Sequence, residues 1–325
     1  MATQQMRTPT PQGVADAAAK IAELLPNTPL IERAVNGTPV WFKAESLQPV
    51  GAFKIRGAWH RLTDLSAEER ARGVVGVSSG NHAQGVAWAA KRLGIAATIV
   101  MPVDAPQTKI AATRGYGAKV VLYDRPGGEN RDAVAQALVD QSGATLVHAY
   151  GDPWVIEGQG TTGIEIAAQM AARGLDGPTR IVCPCGGGGL IAGLAIACPD
   201  AEIVPVEPEG WDDVRLSLEA GSIVPVPDMK FPTQCDALQT PATWPINFTI
   251  LKARVARGYA VTAAEVRAAQ RWAFANLHLV VEPGGAAALA AVLAGKVPVD
   301  GRTAVILSGG NTDPADFAKV LASND

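Results

Sequence analysis

One lysine is set apart from the other cations of the chain. In Val50-Gly51-Ala52-Phe53-Lys54-Ile55-Arg56-Gly57-Ala58 it sits among small residues and one aromatic, just ahead of a helical stretch. That setting suits an amine that forms a Schiff base rather than a solvated surface charge. Three later segments supply what such a lysine needs: Ser78-Ser79-Gly80-Asn81-His82, Gly186-Gly187-Gly188-Gly189-Leu190 and Ser308-Gly309-Gly310-Asn311.

The four consecutive glycines follow an apolar run and open a helical one. Backbone N–H groups of such a turn converge on a phosphate, and the helix N-terminus adds a favourable dipole. The spacing fits neither GxGxxG nor a P-loop, because no Gly-Lys-Ser/Thr follows. A plain strand-to-helix turn needs fewer glycines. The Ser78–His82 segment also lies where a strand meets a helix, and its polar groups and free amides suit a carboxylate. N-capping alone needs one such residue. Ser308-Gly309-Gly310-Asn311 by itself is a sharp turn after a buried strand. Together the four segments read as a pyridoxal-phosphate site.

Glu207, Asp212 and Asp213 form an acidic loop around Trp211. Two carboxylates so spaced suit a hard divalent cation with carbonyl and water ligands. On the residues alone, a solvated acidic loop is the favoured reading. Of four histidines, only His82 lies in a polar cluster, and His60, His148 and His278 read as structural. The four cysteines, 183, 185, 198 and 235, form no CxxC pair and fit a reduced, cytoplasmic protein.

The elements that must position these groups alternate. Strands are expected at 73–77, 96–101, 119–123 and 145–148, with helices at 83–93, 107–114 and 132–141 between them. A long helix at 158–173 then leads to buried strands at 181–183, 202–206 and 303–307. The pattern is α/β with a mostly parallel sheet. It divides the chain into a larger cofactor-binding domain, 1–72 and 151–325, and a smaller inserted α/β domain, 73–150. Apolar residues make up 48% of the 325, enough for a full core, and the net charge of −3 gives no footprint for nucleic acid or an anionic membrane. No secretory h-region is visible. The uncharged run 181–199 contains four consecutive glycines and two prolines, which argues against a membrane span.

In order and spacing the segments resemble the serine/threonine dehydratase family of fold type II pyridoxal-phosphate enzymes. That group includes serine racemase and threo-3-hydroxyaspartate ammonia-lyase. The likeness runs from about Thr28 to Asn311. It implies a larger domain with a parallel-rich twisted sheet flanked by helices, and a homodimer. It also implies that Lys54 carries the cofactor and is the base at Cα. Phe53 packs near the pyridine ring, and Asn81 hydrogen-bonds its 3′-oxygen. Gly186, Gly187, Gly188, Gly189 and Leu190 bind the phosphate, and Ser308 partners the ring nitrogen. By the same resemblance Ser79 is expected to face Lys54 across the substrate as a catalytic residue, the second acid/base in racemases of the group. Ser78, Ser79, Asn81, His82 and Arg131 surround the substrate carboxylates. Glu207, the Trp211 carbonyl and Asp213 match the ligands of Mg²⁺, Mn²⁺ or Ca²⁺ in metal-activated members.

A serine at the ring nitrogen donates a hydrogen bond but does not hold a proton there, so the ring is a weaker electron sink and β-elimination is favoured over transamination. The implied activity is an ammonia-lyase for L-threonine or L-serine. L-threo-3-hydroxyaspartate ammonia-lyase and an amino acid racemase with side elimination are the alternatives. A cofactor-binding sensor without turnover is a third class, opposed by the intact Lys54, Ser79 and Ser308. Two departures bear on the substrate: Tyr150, where relatives carry asparagine or phenylalanine, and the bulky Trp211. Little chain follows Asn311, which favours a catabolic enzyme over a feedback-regulated one.

Overall fold

The computed structural model describes residues 7–78 and 80–323, so Ser79 lies outside the described residues. Among the described residues, ten strands form two sheets. β1 (Leu30–Val35), β2 (Thr38–Ala44), β7 (Arg180–Pro184), β8 (Glu202–Pro208), β9 (Tyr259–Val261) and β10 (Thr303–Leu307) build the larger one. Its order is β1-β2-β10-β7-β8-β9. Only β1 runs antiparallel to its neighbour, through the pairs from Leu30 with Lys43 to Val35 with Thr38. The smaller sheet holds β3 (Val74–Val77), β4 (Ala97–Pro102), β5 (Lys119–Tyr123) and β6 (Thr145–Val147) in the order β5-β4-β3-β6, all parallel.

The smaller sheet follows the expected pattern closely, because its apolar β-branched runs are cleanly punctuated by helices. Elsewhere the structure corrects the expectation. The long helix begins at Pro153, not at 158, because Asp152 caps it by accepting from the Trp154 and Val155 amides. The β1–β2 hairpin was not anticipated. Asn36 and Gly37 turn it, both at positive φ (50° and 82°), the signature of a two-residue hairpin loop.

Helix Pro283–Leu293 is almost wholly buried against the larger sheet, and its Ala and Gly residues let it approach closely. Helix Lys54–Thr63 packs between the long helix and helix Asn81–Leu93. Ile55, Ala58 and Leu62 share a core with Val74 and Ile99 of the smaller sheet and with Val86 of helix Asn81–Leu93. At the crossing with the long helix, a Cβ on Gly158 would lie 2.6 Å from Gly57 Cα, so only glycine lets the two backbones meet. The carboxyl ends of β7 and β10 open onto a cleft facing the smaller sheet, the usual ligand position in such sheets.

Candidate active site

Lys54 is the first residue of its helix. The stretch of chain before it is fastened to the turn after β10. Phe53 N–H donates to the Ser308 carbonyl (3.1 Å), Gly310 N–H to the Gly51 carbonyl (2.8 Å) and Asn311 Nδ2 to the Val50 carbonyl (2.8 Å). A bridge between Ala52 and Gly309 completes the seam. The Ser308-Gly309-Gly310-Asn311 segment is therefore a clamp on the lysine-bearing loop as well as a turn.

A second anchor lies behind the lysine. Arg56 is wholly buried, and its guanidinium grips both oxygens of Glu45 (2.7 and 2.8 Å) and Glu165 Oε1 (2.5 Å). Lys43 meets the other Glu165 oxygen at 2.6 Å. Two cations and two carboxylates cancel, as a buried ionic cluster requires. Only the right helix register places Arg56 in this cluster, which holds Lys54 at the cleft.

The cleft is a cavity of about 300 Å³. Its wall contains Phe53, Lys54, Ser78, Asn81, His82, Arg131, Gly186 to Leu190 and Ser308, so every described residue expected to bind cofactor or substrate converges there. Lys54 Nζ donates to the Ala149 carbonyl (2.7 Å) and stands 5.2 Å from the Phe53 ring centre. Burial pulls its ammonium down to about 8, so a usable fraction is neutral and nucleophilic near neutrality.

Opposite the lysine, Gly188 at φ 89° turns β7 into helix Gly189–Ala197, whose first turn has no side-chain cap. Its free amides suit an anion. A Cβ on Gly187 would lie 2.3 Å from the Tyr150 ring, so the turn tolerates no side chain there. Asn247 Nδ2 donates to the Gly187 carbonyl (2.6 Å) and so fixes the turn. A buried amine, an uncapped glycine turn and the Ser308 hydroxyl on one cavity wall fit pyridoxal phosphate.

Asn81 is fixed on both sides. Its Oδ1 accepts from Asn311 Nδ2 (2.9 Å) and its Nδ2 donates to Glu282 Oε1, leaving one N–H for a ligand. His82 Nε2 lies 3.0 Å from the Val147 carbonyl. Burial, reinforced by the Lys54 charge, drives its pKa down to about 3, so it enters the site as neutral imidazole with Nδ1 unpartnered. Arg131 begins helix Arg131–Ser142, faces Asp132 at 3.5 Å and lines the cavity together with Tyr150.

Several wall residues were not anticipated. His148, read from sequence as structural, lines the cavity with its ring 4.6 Å from Tyr150 and 4.5 Å from Trp244. Its Nδ1 accepts from the Gly151 amide (2.8 Å), and burial lowers its pKa to about 4. Glu282 is 1% exposed, and burial raises its carboxyl to about 7 against the pull of Lys109. Its one sequence signal, an acid just before Pro283, also describes an ordinary helix start.

The acidic loop is not solvated. Glu207 and Asp213 are fully buried and Trp211 nearly so. Glu207 accepts from the Val214 (3.0 Å) and Arg215 (2.8 Å) amides, and Asp213 Oδ2 from Thr243 (2.7 Å). Asp213 Oδ1 has no partner. Burial raises both acids, Asp213 to about 7 and Glu207 well above its usual value with Asp213 adding to it. The described residues contain no cluster of three or more His, Cys, Asp or Glu able to hold a metal. A cation here would rely on the two carboxylates plus carbonyls or water.

This fold and site define a class. Residues 21–309 match the family described as pyridoxal-phosphate dependent enzyme, and the chain belongs to it. The chain is 38% identical to the serine racemase of Schizosaccharomyces pombe, over 97% of this chain and 98% of the relative. It is also 38% identical to L-threo-3-hydroxyaspartate ammonia-lyase of Saccharomyces cerevisiae, over 98% of each. The crystal structure of a threonine deaminase from T.th. superposes with a TM-score of 0.85 at 41% identity, over 94% of this chain and 99% of that one. No helix among the described residues is long and apolar enough to cross a membrane.

Proposed function

We propose that the protein is a pyridoxal-phosphate-dependent ammonia-lyase that converts β-hydroxy amino acids, L-threonine and L-serine by default, to 2-oxo acids and ammonia. The observation that carries this is one cavity wall joining the depressed Lys54 amine, the uncapped glycine turn and the Ser308 hydroxyl. When bound, the cofactor supplies the electron sink for charge developing at Cα. Lys54 Nζ takes the Cα proton, helped by its low pKa. The glycine-turn amides hold the phosphate, and Phe53 covers the ring. Ser308 donates to the ring nitrogen without adding a negative charge, which favours loss of the β-hydroxyl over transamination. The turn carrying Ser78 and Asn81 orients the substrate carboxylate, with Ser79 expected beside it.

The relatives' names span elimination and racemisation. One structural observation favours a second substrate, L-threo-3-hydroxyaspartate. Arg131 and Tyr150 form a cationic corner of the cavity suited to a second carboxylate, whereas neutral His82 adds no charge there. A divalent cation at Glu207, the Trp211 carbonyl and Asp213 belongs to the same proposal, supported by the unpartnered Asp213 Oδ1. So do the homodimer, the cytoplasmic location and the division at 72/73 and 150/151, the last supported by the two separate sheets.

The test is initial rates of 2-oxo acid release with Mg²⁺, from L-threonine and L-threo-3-hydroxyaspartate in parallel. Faster release from threonine supports the default. Faster release from hydroxyaspartate that collapses in Arg131→Met selects the second reading. No release from either, with the cofactor bound, refutes the proposal.

A further inference from the structure

A second lysine faces the cavity. Lys109, on helix Gln107–Gly115 beside the smaller sheet, is 8% exposed and pairs with Asp236. Asp236 opens the short turn Asp236–Leu238, whose Leu238 is buried in the core of the larger sheet. Both residues line the cavity. The ammonium lies on the turn that orients the substrate carboxylate, since a Cβ on Gly80 would be 3.4 Å from Lys109 Nζ. Helix Asn81–Leu93, which starts there, has no side-chain cap.

The two partners are unequally placed. The Lys109 side chain is 9% exposed and the Asp236 side chain 36%. The cation is fixed in the wall, while the carboxylate stands at the mouth and can swing into water. A desolvated ammonium must keep an anion beside it. A substrate carboxylate arriving at the turn meets that need, so its entry is an exchange of one anion for another. The other cations of the wall have other places, Lys54 at the cofactor position and Arg131 beside Asp132 in the corner suited to a second carboxylate.

We propose that Lys109 is the counter-charge of the substrate α-carboxylate, and that Asp236 is a resident anion which the substrate displaces. The inference rests on the reading of the Ser78–His82 turn as the carboxylate site. It makes Lys109 a substrate-binding residue and Asp236 a competitor. It also means that substrate entry breaks an ion pair joining the two sheets.

A pair that merely braces the fold behaves differently, which gives the test. Cofactor-loaded protein is titrated with L-serine and with ethanolamine, which lacks the carboxylate, following the shift of the visible cofactor band. Lys109→Met is expected to weaken L-serine binding by roughly tenfold or more, the worth of a charge-assisted hydrogen bond, and to leave ethanolamine unchanged. Lys109→Arg retains most of the preference. Asp236→Asn is expected to act oppositely and tighten L-serine several-fold. If Lys109→Met and Asp236→Asn weaken both ligands alike, the pair is a brace and the proposal is overturned. If Lys109→Met does not fold, the direction of the Asp236→Asn effect decides. Release of 2-oxo acid by the unaltered enzyme tests the ammonia-lyase reading separately, so either idea can fail while the other stands.

Discussion

Replacing Lys54 by methionine should stabilise the cofactor-free protein near neutral pH and lose that advantage in alkali. The Lys54 pKa falls from 10.5 to about 8 on folding, with burial as the cause. Below pH 8 the amine is charged in both states, and the folded state carries a penalty of up to ~3.4 kcal/mol, about 2.5 units at 1.36 kcal/mol each. Between pH 8 and 10.5 the unfolded chain binds the extra proton, so stability of the unaltered protein rises with pH across that window. The side chain is only partly covered because it faces the cavity, and water there makes this figure a ceiling. Methionine removes the charge but also the hydrogen bond to the Ala149 carbonyl, which offsets roughly 1 to 2 kcal/mol. The net gain at pH 7 is about 1 to 2 kcal/mol, or ~2 to 3 °C in melting temperature at this chain length. Above pH 10.5 the variant should melt slightly below the parent. Differential scanning calorimetry of both apoproteins from pH 7 to 10.5 measures this. A difference that stays flat with pH would refute the depressed amine.

Three further outcomes follow from the geometry. Gly187→Ala puts a methyl 2.3 Å from the Tyr150 ring, so cofactor affinity should fall by about tenfold or more, and adding Tyr150→Ala should recover part of it; fluorescence titration reads both. Arg56→Met strands the Glu45 and Glu165 carboxylates and should cost about 3 to 5 kcal/mol, or roughly 4 to 7 °C in calorimetry, with weakened cofactor retention as Lys54 loses its anchor. A divalent cation at a hundredfold its Kd should raise stability by about 2.7 kcal/mol, and Asp213→Asn should abolish the gain, as a melting series with Mg²⁺, Mn²⁺, Ca²⁺ and EDTA would show.

Much of the smaller sheet could be read in advance because each strand is a short β-branched run closed by a helix. Local chemistry also singled out Lys54 and the glycine turn, since a lysine among small residues and four glycines in succession are unusual, whereas Ser308 read as a plain turn and took its expected role from the resemblance. The β1–β2 hairpin was legible in Asn36-Gly37, yet its strands mix charged and apolar residues and masked the signal. The start of the long helix was likewise written in Asp152-Pro153. What sequence could not show was convergence from distant segments. His148, Glu282, Lys109 and Asp236 each look ordinary in their local context, and only tertiary packing brings them to one cavity. Burial was hidden as well: Glu207 and Asp213 stand in an acidic stretch that reads as solvated, and the fold encloses both.

The central claim is that Lys54 carries the cofactor. Its most direct test is borohydride reduction of the pyridoxal-phosphate-loaded protein, followed by proteolysis and mass spectrometry of the peptides. The expected result is a phosphopyridoxyl group on the peptide containing Lys54, absent from Lys54→Met. A label on another lysine, or no label in protein that has bound the cofactor, would contradict it.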